Sequence, residues 1–168
     1  PYRGGTHLPD ITLIVPVFYG DDGDAPDAFV AARGHHSDIG GIAPGSMPPT
    51  SRTIEEEGVL IDNFLLVDEG VFRERAIRDQ LAAGSFPARK PDRNLSDLRA
   101  QLAACSRGAE LLCLAARDNG PAVVAAYMDH VLANAEESVR RLLDRLQDGE
   151  FAYPMDNGAV VKVAIRID

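Results

Sequence analysis

Two long runs with helical periodicity, separated only by Gly120 and Pro121, constrain the fold of this chain more than any other feature. Apolar residues recur at spacings of three and four in residues 95–116, and again in residues 122–147. Asn94 is the predicted N-cap of the first helix, Gly120 ends that helix, and Pro121 begins the next one. Because a very short connection places consecutive helices side by side, the sequence predicts a long antiparallel helix pair.

The part of the chain before these helices has the short apolar runs and turn residues that are typical of β-structure. Residues 11–18 predict a buried strand and residues 28–32 the return strand of a hairpin, with a turn at residues 20–26 between them. The remaining predictions are a Gly/Pro-rich loop, two short strands, a short helix and a final strand, at residues 40–51, 59–61, 64–67, 71–83 and 159–167. The sequence therefore predicts an α+β fold.

The bulk properties exclude several classes of protein. A net charge of -9 argues against nucleic acid as a partner, because phosphate binding requires a basic patch. No apolar run approaches the roughly 20 residues that span a membrane. Cys105 and Cys113 lie eight residues apart on one predicted helix, about 12 Å along its axis, which is too far for a disulfide. Free thiols in a core predict a reducing, cytoplasmic location.

Histidine and aspartate are concentrated in two short motifs, His-Leu-Pro-Asp at residues 7–10 and His-His-Ser-Asp at residues 35–38. Three of the four histidines of the chain lie in these motifs. Imidazole and carboxylate are common ligands of divalent transition metals. The two motifs together therefore suggest a metal site.

The predicted hairpin brings the two motifs together. Pairing the strands so that positions 18 and 27 meet places Asp10 opposite His35, at the open end of the hairpin. A strand directs successive side chains to opposite faces, so His35 and His36 do not both point to the same side. The residues alone predict a mononuclear site formed by His7, Asp10 and one of the two adjacent histidines.

Other interpretations of these residues remain open at this point. Histidines and aspartates near strand ends are often turn or capping residues, and Asp38 fits a turn before two glycines. The glycines at positions 40, 41 and 45 fit either a backbone nest for an anion or a tight solvent loop. The three glutamates at positions 55–57 are most simply a solvated run of charge.

Long segments of the chain resemble the hydantoinase B/oxoprolinase family. Residues 1–10 (PYRGGTHLPD) and 33–49 (RGHHSDIGGIAPGSMPP) are similar to two signatures of that family, and shorter similarities follow at residues 53–58, 87–89 and 94–101. The resemblance covers essentially all of residues 1–168. It implies a single fragment of a longer hydantoinase B-type domain, with residues 1–68 mainly β, residues 69–148 helical and residues 149–168 a truncated strand.

The resemblance also implies a function. Such components act with a hydantoinase A-type, ATP-using partner in a hetero-oligomer, and hydrolyse an activated cyclic amide such as a hydantoin or 5-oxoproline. One alternative is the corresponding component of an acetone- or acetophenone-type carboxylase, which acts on a ketone. Another is a non-catalytic assembly module of such a complex. The fragment is expected to lack activity when it is alone.

The resemblance further assigns roles to residues. By similarity to the carboxylase branch, His7, Asp10 and His35 are the expected metal ligands, with His36 as the alternative to His35. Manganese is the expected ion, and zinc or iron suits the same ligands. Asp38 and Glu57 are the expected catalytic acid/base or supporting residues. ATP is expected to be used by the partner component.

Overall fold

The structure, a computed structural model, describes residues 7–20, 23 and 25–167. In chain order its elements are β1 (Asp10–Val17), β2 (Ala28–His35), α1 (Ile54–Glu57), β3 (Val67–Asp68), β4 (Val71–Phe72), α2 (Glu74–Leu81), α3 (Pro91–Asn119), α4 (Pro121–Leu143), β5 (Gly149–Pro154) and β6 (Val160–Ile165). The strands form three antiparallel pairs, β1 with β2, β3 with β4, and β5 with β6. The predicted α+β class is confirmed. The chain divides into two compact units, Pro1–Arg117 and Asp118–Asp168.

The first hairpin has the predicted register. Asp10 is paired with His35 at its open end, and Val17 with Ala28 near the turn. β2 continues three residues beyond the predicted strand and includes the first histidine of the second motif. Of the predicted turn, residues 21, 22 and 24 lie outside the described residues, as does the motif segment 1–6.

The core of the first unit lies where α2 and α3 bury their apolar residues. Ile77 and Leu81 of α2 and Leu95 and Leu98 of α3 are at most 2% exposed. Partly buried residues of β1, among them Ile11 and Leu13, pack against the same cluster. Burial of a side chain of this size contributes roughly 1.5–3 kcal/mol, so these contacts are a major source of stability for the hairpin and the helices.

The Gly/Pro-rich segment is irregular, as predicted, but its first part is buried rather than loose. Ile39 is 0% exposed. Gly41 donates a backbone hydrogen bond to the Phe86 carbonyl (2.9 Å), and Ile42 donates one to Glu56 (2.8 Å). Gly40 and Gly41 have φ of 96° and 84°, and a Cβ on either would overlap a neighbouring backbone carbonyl. Glycine is therefore required there by both conformation and space.

Several predicted boundaries in the first unit are wrong. Residues 59–61 form no strand, and only Val67 of the predicted strand 64–67 is in one. Residues 71–72 pair with residues 67–68, so α2 begins at Glu74 rather than at position 71. α3 begins at Pro91, and Asn94 lies inside the helix instead of capping it. Proline suits the first position of a helix because it has no N–H group to pair.

The second unit confirms part of the sequence interpretation and adds one strand. α4 begins at Pro121, directly after Gly120 with φ of 92°, as predicted. β6 falls within the predicted final strand but pairs with β5, which was not predicted. Proline and glycine at the ends of residues 149–154 obscure the strand pattern. α4 has no buried residue, and its predicted antiparallel packing stays a prediction.

Among the described residues, no helix combines the length and the apolar character required to cross a membrane. Both cysteines are free thiols, as expected from their spacing.

Two glycines provide a test of the buried loop. Gly40 and Gly84 both have positive φ, but an added Cβ would lie 2.1 Å from the Phe86 carbonyl oxygen at position 40 and would meet nothing within 4 Å at position 84. We expect Gly84→Ala to lower the free energy of unfolding by about 1 kcal/mol from backbone strain. Gly40→Ala should cost at least about 2 kcal/mol more. Urea denaturation followed by far-UV circular dichroism measures both, and equal losses would contradict the close packing of the loop.

Candidate metal site

Three side chains of the two motifs meet at the open end of the first hairpin. The Asp10 carboxylate lies between two imidazoles, with Oδ2 3.2 Å from His7 Nδ1 and Oδ1 3.0 Å from His35 Nδ1. The two rings lie 5.0 Å apart between centroids. One possible ligand atom from each residue lies within 4.8 Å of the others. These are the three residues that the sequence and the resemblance selected.

The alternation of β2 separates the two adjacent histidines. His35 lies on the exposed face of the hairpin with Arg33, and its side chain is 51% exposed. His36 follows on the opposite face and is 0% exposed. The pleat of the strand thus directs one imidazole toward the cluster and the other into the protein interior.

Hydrogen bonds from α3 occupy both nitrogens of His36. Gln101 Oε1 is 3.0 Å from Nε2, and Asn94 Nδ2 is 3.1 Å from Nδ1. Asn94 Nδ2 also donates to the Asp38 carbonyl, and Gln101 Nε2 donates to two strand carbonyls, so the orientation of both amides is fixed by other partners. These partners suit the tautomer of His36 that carries its proton on Nε2. As the alternative ligand it is unsuitable, because neither nitrogen is available.

The side chain of Gln101 also joins the two strands of the hairpin. Its Nε2 donates to the carbonyls of Ile11 and Ala32, both at 2.9 Å. A Cβ on Gly34 would lie 3.1 Å from the Gln101 amide carbon, so the glycine provides the space for this approach. One residue of α3 thereby fixes β1 and β2 beside the positions that carry Asp10 and His35.

Asp38 is bound by four hydrogen bonds that fasten the glycine-rich loop. Oδ1 accepts from the backbone N–H groups of Gly40 (3.0 Å) and Arg89 (3.1 Å). Oδ2 accepts from Gly45 N (3.1 Å) and from the Arg89 guanidinium (2.6 Å). Arg89 also donates to the Gly41 carbonyl at 2.6 Å. This arrangement gives Asp38 a structural role, and its expected catalytic role stays a prediction.

The electrostatic environment of Asp38 favours the carboxylate. Burial acts to raise the pKa of this carboxyl, but hydrogen bonds from the backbone of Arg89, Gly40 and Gly45 and from the Arg89 side chain act against it, and the pKa lies below its ordinary value. At Cys105 burial raises the pKa of the thiol, which makes it a poor nucleophile.

Glu57 is the last residue of α1 and is not one of the three clustered side chains. Its Oε1 is 3.4 Å from the Ser51 hydroxyl, and the residue is partly buried. A capping box between Thr53 and Glu56 stabilises the start of α1, so the acidic run forms a short helix, and none of its residues is buried. The expected acid/base role of Glu57 stays a prediction.

Sequence interpretation missed the partners that hold the site. Arg89, Asn94 and Gln101 act on residues more than 50 positions away, and no local pattern indicates such contacts. The one sequence feature that could have indicated these residues is that all three lie in segments that resemble the family.

Comparison with known proteins identifies the family of this chain. The family model for hydantoinase B/oxoprolinase matches residues 1–168. The chain is 47% identical to 5-oxoprolinase 1 of Arabidopsis thaliana and 40% identical to 5-oxoprolinase of Dictyostelium discoideum. Each alignment covers 100% of this chain but only 15% and 13% of the relative. A Pseudomonas sp. (strain NS671) protein, proposed to be the B component of a D-/L-hydantoinase, is 30% identical over 90% of this chain and 24% of its own length.

The chain therefore belongs to the hydantoinase B/oxoprolinase family, and it spans about a seventh of the length of the 5-oxoprolinases. No solved structure matches it.

The Asp38 carboxylate predicts a pH dependence of stability. Because its pKa is lowered in the folded state, its contribution is present above the unfolded pKa, about 3.9, and is lost as the pH falls through the folded pKa. We expect Asp38→Asn to lower the free energy of unfolding by about 2 kcal/mol at pH 7. The difference from wild type should shrink below about pH 4. Urea denaturation from pH 7 to below about pH 4 measures this difference, and Asp79→Asn, which changes an exposed carboxylate, is the control. If the difference between Asp38→Asn and wild type does not change with pH, the Asp38 carboxylate does not have this stabilising role.

Gln101 provides a second test. Gln101→Leu leaves His36 Nε2–H and the carbonyls of Ile11 and Ala32 without their partner, and we expect a loss of about 2–4 kcal/mol in the free energy of unfolding. Cys105→Ala, one turn further along α3, removes a small buried side chain whose thiol makes only a weak contact to the Leu13 carbonyl, and it serves as the matched control. Chemical denaturation of both variants measures the difference. Comparable losses would show that Gln101 is not a specific link between the strands.

Proposed function

We propose that this chain provides the metal-binding part of a component of an ATP-dependent cyclic amidohydrolase of the hydantoin or 5-oxoproline type. The observation that supports it best is the cluster of His7, Asp10 and His35, in a chain that belongs to the hydantoinase B/oxoprolinase family. Two of the relatives are named 5-oxoprolinases, and a third is proposed to be a hydantoinase component. The chain spans a minor part of each, so the activity of the whole protein is part of the proposal.

The donor set of the cluster suits a divalent metal. Adjacent ligand atoms of an ion with bonds of about 2.1 Å lie about 3.0–3.4 Å apart. Two distances fall within that range, 3.2 Å from Asp10 Oδ2 to His7 Nδ1 and 3.0 Å from Asp10 Oδ1 to His35 Nδ1, each to a different carboxylate oxygen. Two imidazoles and one carboxylate suit manganese, which we favour, and also zinc or iron. When bound, such an ion supplies polarisation of a carbonyl or activation of water.

The residues around the cluster have two further roles, which are to orient the imidazoles and to leave their exposed face accessible to a small molecule. Asp10 contacts both imidazoles and so fixes their relative orientation. His35 is half exposed and faces the side from which a small molecule approaches, whereas His36 is packed behind it against α3. The supporting hydrogen bonds hold the open end of the hairpin in place without occupying its exposed face. Asp38 and Glu57 are retained as proposed acid/base residues.

The proposal includes a partner. We infer that a hydantoinase A-type component uses ATP to activate the cyclic amide, and that the two components form a hetero-oligomer in the cytoplasm. The relative proposed to be the B component of a hydantoinase supports this arrangement. The carboxylase alternative, with a ketone as the small molecule, uses the same three metal ligands and differs in the substrate.

An assembly module is the second candidate function, and the second unit favours it. α4 exposes large apolar side chains, among them Tyr127, Val131 and Leu132, each at least 66% exposed. Soluble proteins rarely leave a broad apolar surface uncovered. In this interpretation the first unit binds no metal and the chain contributes packing alone.

Metal analysis separates the two functions. We expect the purified wild-type chain to bind about one equivalent of Mn²⁺ or Zn²⁺, because three side chains that can ligate a metal have possible ligand atoms within 4.8 Å of one another. His7→Ala and His35→Ala should weaken binding at least tenfold, as measured by isothermal titration calorimetry. His130→Ala is the matched control, since this remaining histidine lies on α4 beside Tyr127. Absence of stoichiometric metal in the wild type would reject the metal site and favour the assembly module.

A further inference from the structure

A cation stands next to the three clustered side chains on the same exposed face of the hairpin. Arg33 is two residues before His35 on β2, and its partner across the hairpin is Thr12, two residues after Asp10. Side chains two residues apart on a strand share a face and are separated by about 6.7 Å along it. Arg33 and Thr12 therefore form the next row of the same surface.

The guanidinium of Arg33 is held in place from one side only. Its Nε donates to the Thr12 hydroxyl at 3.0 Å, which fixes the plane of the group. Among the described residues it makes no ion pair, although the chain carries 26 acidic residues and its other arginines often pair with them. Both terminal nitrogens are thus available, and together they form the fork that matches a carboxylate or a phosphate.

The Thr12 hydroxyl adds a donor to this fork. Its oxygen accepts from Arg33, so its own hydrogen is free to point toward the same ligand. The other exposed positions of the hairpin beyond this row are apolar, with Ile14 and Phe29 at 60% and 63% exposure. Beyond the cluster, only the row of Arg33 and Thr12 therefore offers donors for an anionic group on this face of the hairpin.

We infer that Arg33, with Thr12, is the anion-binding residue that selects the substrate of this site. The inference rests on the proposed function, since it takes the neighbouring cluster as the place where the cyclic amide binds. The substrate class it specifies is a small cyclic amide that carries an anionic oxygen group within about one strand-row spacing of the ring carbonyl. That group is either a carboxylate of the substrate, as in 5-oxoproline, or a phosphoryl group added during activation. A hydantoin that has not been activated carries no anionic group for this arginine.

Matched ligands test the inference on the full 168-residue chain. L-5-oxoproline and L-5-oxoprolinamide share the ring and differ in the charged group. With Mn²⁺ present, we expect wild type to bind the carboxylate about tenfold more tightly than the amide in isothermal titration calorimetry. Arg33→Met should bring this ratio near one, and Arg33→Lys should retain part of it. Arg75→Met, an exposed arginine of α2 paired with Asp79, should leave the ratio unchanged.

Inorganic phosphate separates the two sources of the anion. If phosphate binding depends on Arg33 and 5-oxoproline binds no more tightly than its amide, then Arg33 recognises the phosphoryl group. If the preference for 5-oxoproline over its amide depends on Arg33, then Arg33 recognises the carboxylate of the substrate. If Arg33→Met binds both anions as tightly as wild type does, the inference is wrong.

Separate metal titrations keep this result distinct from a failure of the proposed function. Arg33→Met should bind Mn²⁺ as tightly as wild type, because the substitution removes none of the three proposed ligands. If wild type binds no metal, the proposed function fails, and the anion titrations repeated without metal still show whether the arginine acts. If wild type binds neither 5-oxoproline nor phosphate more tightly than the neutral amide, with or without metal, Arg33 does not have the proposed role.

Discussion

The amide of Gln101 is the contact on which the arrangement of the site depends. It bonds to a carbonyl of each strand of the hairpin and to the buried histidine that follows β2. Hydrogen bonds of this kind contribute only about 1 kcal/mol each, but leaving their partners buried and unpaired costs more. Since α3 also provides much of the apolar core, the hairpin is held by the same helix in two ways. The exposed face of the hairpin is left available because its support comes from behind.

A second set of contacts extends this support to the glycine-rich loop. Asn94 connects His36 to the backbone of Asp38, and Asp38 in turn is bound by Arg89. The loop follows directly after the hairpin, so its position and that of the three clustered side chains are coupled through a continuous network of hydrogen bonds. Polar networks are stable in an interior only when their members are nearly all paired. This explains why a segment rich in glycine and proline is packed against its neighbours.

The sequence predicted the outer face of the hairpin better than its inner support. Two apolar strands and one turn are enough to place Asp10 opposite His35, because register follows from alternation. The role of Asn94 was not predictable in this way: an asparagine near a helix start is locally identical whether it caps the helix or reaches across the interior. The pairing of β5 with β6 was missed because its strand pattern is interrupted by glycine and proline. The contacts of α3 with the hairpin and the loop were supplied by the structure alone.

The split of the adjacent histidines between two faces has a consequence for how this region tolerates change in length. Inserting or deleting one residue within β2 exchanges its faces, which would send His36 outward and His35 into the space beside Gln101, and the same change within β1 would turn Asp10 away from the two imidazoles. Inserting residues in the turn between Val17 and Ala28 leaves both faces as they are, because the three clustered side chains lie at the far end. Length variation is therefore expected at the turn, while each strand of the hairpin is restricted to an unchanged residue count.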